Sequence, residues 1–77
     1  MNAQRRKMIE TLIAGLNPLL DAVNDLAEAE AEAFENMPEG LQASERGEAA
    51  ERAAEALSDA HSSLDDALAA LNTAIEG

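Results

Sequence analysis

Asn36-Met37-Pro38-Glu39-Gly40-Leu41-Gln42-Ala43-Ser44-Glu45-Arg46-Gly47-Glu48 is the one stretch of this chain where two long helical patterns are interrupted by a full set of stop and start signals. Pro38 cannot continue a helix, Gly40 can adopt positive φ without steric cost, and Ser44 can accept hydrogen bonds from the free N–H groups of a new helix. Glu45 and Glu48 fall in that helix's first turn, where the macrodipole favours negative charge. The stretch reads as an elbow, residues 37–43. It separates an arm of about residues 4–36 from an arm of about 44–76, within a single domain spanning 1–77.

Working back from the elbow, apolar residues recur at spacings of three and four: Ile9, Leu12, Ile13, Leu16, Leu19, Leu20, Val23, Leu26, Ala27, Ala33 and Phe34. This is an amphipathic helix whose stripe is wider than one facing helix covers. The row Ile13, Leu20, Ala27 and Phe34 is read as the surplus that asks for a second neighbour. Pro18, with Gly15 just before it, removes one backbone bond and clashes with the carbonyl of Ala14. The apolar phase runs through it without a skip, which favours a kinked continuous helix over a break with a new start at Asn17. Residues 1–7, with the basic triplet Arg5, Arg6 and Lys7, read as a frayed or loosely helical start.

Working forward, Ala50, Ala54, Leu57, His61, Leu64, Leu68, Leu71 and Ile75 form an unbroken heptad ladder, flanked by Ala53, Ala60, Ala67 and Ala74 at every seventh residue. Two arms of about 30 residues, each ~45 Å long at about 1.5 Å per residue, imply an antiparallel hairpin. Folding back at the elbow sets Phe34 over Gly47, whose missing side chain would make room for the ring, and Leu20 near His61. Two helices leave one side of each leucine row wet, so the fold class expected is all-α, a hairpin dimerising into a four-helix bundle. Its oligomer core would comprise Ile9, Leu12, Ile13, Leu16, Leu19, Leu20, Val23, Leu26, Phe34, Leu57, His61, Leu64, Leu68, Leu71 and Ile75.

Composition narrows the partners. The chain carries 16 acids against 5 bases, a net charge of −11, with no cysteine and Phe34 as its one aromatic residue. Disulfides and thiolate metal sites are excluded, and nucleic acid and anionic membranes are repelled. No stretch approaches the ~20 apolar residues of a membrane span, and Glu10 breaks the apolar run that a signal peptide would need after the basic triplet. A cytoplasmic setting is expected.

The run from Asn36 to Glu48 also resembles a segment of small, acidic, helical-hairpin proteins of bacteriophage and prophage genomes, most without an assigned function. The resemblance covers residues 36–48 and brings no chemistry with it. It implies a phage accessory protein in the host cytoplasm, binding a host or defence component.

No catalytic arrangement emerges, and no cofactor is expected. His61 has Asp65 one turn later and Asp59 two residues before, but the Glu-x-x-His pair of carboxylate-bridged metal bundles is missing, since Ser58 stands three residues ahead of it. Ser62 and Ser63 point to other faces of the helix. The acids remain: Asp21, Asp25, Glu28, Glu32 and Glu35 on the first arm, and Glu48, Glu51, Glu55 and Asp59 on the second. They are candidates for binding a basic protein such as a nuclease or CRISPR effector, by imitating nucleic-acid phosphates. The alternatives are a self-assembling scaffold with no host target and a metal-carboxylate bundle.

Overall fold

The computed structural model describes all residues from Met1 to Gly77 and contains three helices and no strand: α1 (Ala3–Glu35), α2 (Glu39–Gln42) and α3 (Glu45–Glu76). The molecule is a rod of 58 × 15 × 13 Å. α1 and α3 pack along one another, and α2 packs on α3.

α1 begins at Ala3, about where the first arm is expected to start. Asn2 accepts the backbone N–H of Arg5 at 2.8 Å, an N-cap that makes the basic triplet part of the helix and not a frayed lead-in. Three cations near a helix N-terminus oppose the macrodipole. Arg6 offsets this by donating from Nη1 to the carbonyl of Ile75 at 2.6 Å, near the C-terminus of α3. There the last carbonyls lack helical partners and the dipole favours a cation. This bond brings the start of α1 to the end of α3.

α1 runs through Pro18 as one helix, so the alternative of a break with a new start at Asn17 does not occur. Pro18, Ala14 and Gly15 are all exposed, so the carbonyl that loses its partner lies on the wet side, where water can replace the bond. The Asn17 side chain donates to the carbonyl of Ile13 at 3.2 Å beside it.

The elbow is more ordered than a loop. After Asn36 the chain makes the single turn of α2, with Pro38 preceding it and the N–H groups of Leu41 and Gln42 both bonded to the Pro38 carbonyl. Gly40 lies inside α2, and no glycine has positive φ, so the left-handed turn expected at Gly40 is absent. Gln42 then reaches back: its Nε2 donates to the carbonyls of Phe34, Glu35 and Met37 at 3.1, 3.3 and 3.1 Å. The Phe34 carbonyl also accepts the backbone N–H of Met37 at 3.1 Å, while those of Glu35 and Met37, at and just beyond the end of α1, are left to the Gln42 amide. Ser44 caps α3, accepting the N–H of Gly47 at 3.4 Å while its hydroxyl donates to the carbonyl of Leu41.

Gly47 is one of only two buried residues; the other is Leu20, 7% exposed. A Cβ at position 47 would collide with the carbonyl oxygens of Gln42 and Leu41. The space that the glycine leaves is thus taken by the backbone of the elbow, and the Phe34 ring is not the reason for it.

Which row of α1 faces α3 also differs from expectation. The half-buried positions are Ile9, Ile13, Leu16, Val23, Ala27, Glu30, Ala31 and Phe34, with Leu20 fully buried among them. Leu12, Leu19 and Leu26 are 56, 55 and 56% exposed. The surplus row is therefore that of the three leucines, and Ile13, Leu20, Ala27 and Phe34 belong to the inner seam. On α3 the seam is as its periodicity indicates: Ala50, Ala54, Leu57, His61, Leu64, Leu68, Leu71 and Ile75 are all half-buried. Taken from opposite ends, the two ladders have the same rhythm, and counted from the end where Arg6 meets Ile75 their rungs match Ile9 to Ile75, Leu20 to Leu64 and Phe34 to Ala50.

Candidate protein-interaction surface

Shifting a helical ladder by one residue rotates it by about 100°. One residue before each rung of the α1 seam stand Met8, Leu12, Gly15, Leu19, Ala22, Leu26, Ala29 and Ala33. One residue before the rungs of α3 stand Ala49, Ala53, Ala56, Ala60, Ser63, Ala67, Ala70 and Ala74. Neither set contains a charge, and all but the half-buried Ala53 are exposed. Because the start of α1 lies by the end of α3, the two helices wind in opposite senses seen down the rod. Residues that precede the seam therefore lie on the same side of both. Together they form a charge-free flank, bounded by Arg5 and Arg46. At its α1 end Met1, Arg5, Met8, Ile9 and Leu12 line a shallow apolar recess.

The flank on the other side has the opposite character. One residue after the α1 rungs come Glu10, Ala14, Asn17, Asp21, Asn24, Glu28, Ala31 and Glu35; on α3 come Glu51, Glu55, Ser58, Ser62, Asp65, Ala69, Asn72 and Glu76, with Glu48 one turn ahead of them. All but the half-buried Ala31 are exposed. Asn24 donates to Glu28 at 3.3 Å, and Glu48, Glu51 and Glu55 surround Arg52 in an open groove. Of the acids singled out as partner-binding candidates, Asp21, Glu28, Glu35, Glu48, Glu51 and Glu55 gather on this flank. Asp25, Glu32 and Asp59 are also exposed but lie on the backs of their helices, turned from the seam.

His61 is a half-buried rung of the α3 seam. No group of three or more His, Asp or Glu side chains within one chain is placed to hold a metal ion. No helix is long and apolar enough to cross a membrane.

The charge-free stripe on α1 and the capping role of Gln42 escape a reading by overall periodicity. The first is visible once the ladder is moved back by one residue. The second leaves no local signature, because Gln42 acts on carbonyls five to eight residues earlier. Comparison of the chain with family models, curated proteins and solved structures finds no match.

Proposed function

We propose that this protein is a non-catalytic protein-binding module, an antiparallel hairpin bending at Pro18 that pairs with a second copy as a four-helix bundle. In this reading its acidic flanks take a basic partner. The observation that carries it is the segregation of surfaces: acids gather on one flank while leucines and alanines without charge occupy the other. A monomer that only needed solubility would gain from acids on both flanks. A single buried hydrophobic side chain is also too little core for a chain of this length, which argues for association.

The resemblance of residues 36–48 to phage hairpin proteins supplies the setting: a phage product in the host cytoplasm that binds and inhibits a host or defence protein. A channel built for nucleic acid is the fitting basic surface, since rows of carboxylates present charge at spacings a phosphate-binding groove can accept. The second reading, a self-assembling scaffold, rests on the same charge-free flank and needs no acidic partner.

Salt and charge reversal separate the two. Tagged protein is incubated with host lysate at low and at high salt, beside a Glu51→Lys/Glu55→Lys variant and a variant reversed on the back of α1, Asp25→Lys/Glu32→Lys. The inhibitor reading expects one basic protein that washes off with salt and is lost with the Glu51 and Glu55 reversal but less so with the other. Capture of nothing in all cases leaves the scaffold reading.

A further inference from the structure

We infer that the charge-free flank is the seam on which two copies join, with α1 of each copy lying against α3 of the other. The inference deepens the pairing proposed above, and rests on it, by naming the face and the helices that meet.

Charge selects the face. Each copy carries a net charge of −11, so two copies approach only where neither presents acids, and the flank opposite would set carboxylate rows against each other. Size agrees: a rod face 58 Å long and 13–15 Å broad has a footprint of about 800 Å², the area a stable interface typically covers on each partner.

Shape selects the pairing. The flank is bulky on α1, where Leu12, Leu19 and Leu26 stand more than half exposed, and small on α3, where alanine and serine fill the equivalent row. A two-fold axis along the rod brings each leucine row over the small row of the second copy, and every neighbouring pair of helices then runs antiparallel. Leu19 falls between Ser63 and Ala67 of the second copy, a knob in a hole of the depth alanine leaves. A two-fold axis across the rod instead stacks leucine on leucine and alanine on alanine, forcing one pair of helices apart while the other closes. The first arrangement is self-complementary; the second is not. A foreign partner has no reason to supply both a leucine row and an alanine row at this spacing, whereas a second copy supplies them by symmetry.

The test combines mass with cross-linking in a chain that has no cysteine of its own. Sedimentation equilibrium is run on the native chain, on Leu19→Glu at the centre of the flank, and on Ser58→Glu on the acidic flank. The inference expects a native dimer, a dissociation constant raised at least tenfold by Leu19→Glu, and little change for Ser58→Glu. Separately prepared Leu19→Cys and Ala67→Cys chains are then mixed and oxidised, and the mixed disulfide is expected in excess over either symmetric one. A native monomer overturns the pairing itself. A native dimer that survives Leu19→Glu, or one that yields mainly the symmetric Leu19→Cys product, overturns the inference and leaves pairing in place. The cross-link reports on the assembly even if Leu19→Glu fails to fold.

Discussion

The carbonyl oxygen of Gln42 lies too close to Gly47 for a Cβ to fit there, with the Leu41 carbonyl beside it. A glycine in the first turns of a helix costs about 1 kcal/mol relative to alanine. Here it lets the elbow's backbone close onto α3, and Ser44 completes the joint by holding the N–H of Gly47 and the carbonyl of Leu41.

Gly47→Ala is therefore expected to destabilise despite its better helix propensity, because backbone atoms must move; overpacking of this kind costs about 1–3 kcal/mol. Gly15→Ala is the counterpart. Nothing lies within 4 Å of a Cβ there, so it should stabilise by about 0.5–1 kcal/mol. Thermal melts of the two variants should shift in opposite directions, by about 4–8 °C per kcal/mol in a domain of this size. Shifts of the same sign would contradict the packing described for the elbow.

Gln42 carries a second expectation. Gln42→Ala removes one donor from three carbonyls that water can partly reach, a loss of about 1 kcal/mol. Gln42→Glu should be worse, since it turns an acceptor toward acceptors at the negative end of α1, by about a further 0.3–1 kcal/mol. Urea midpoints should rank native above Gln42→Ala above Gln42→Glu; a glutamate variant as stable as the native chain would remove the capping role.

Pro18 is exposed and inside a continuous helix, so nothing packed depends on its ring. Pro18→Ala restores an N–H to face the Ala14 carbonyl and should stabilise α1 by about 1–3 kcal/mol, within the roughly 3 kcal/mol that an interior proline costs. Amide exchange of residues near 14–18 should slow accordingly. Faster exchange across that segment would mean that the chain is shaped to need the proline.

The sequence shows the helices and their punctuation clearly, because both are local: spacings of three and four mark the ladders, and Ser44 stands where α3 is capped. It misplaces the surplus row of α1, since Leu12, Leu19 and Leu26 are as apolar as Ile13 and Leu20 and only the position of α3 decides which row is covered. The extra turn at Glu39–Gln42 is too short to have a periodicity, which is why Gly47 pointed to Phe34 and not to Leu41 and Gln42. Of the candidate surface, the acids are evident from composition. Their gathering on one flank emerges only once the inner seam is known.

Sedimentation equilibrium of the native chain at tens of micromolar bears on the pairing before any variant is made. The mass expected is twice the 8.1 kDa of one chain, with the dimer persisting as salt screens the acids. A species of 8.1 kDa at that concentration would overturn the pairing, because the leucine row of α1 would then face water with no partner.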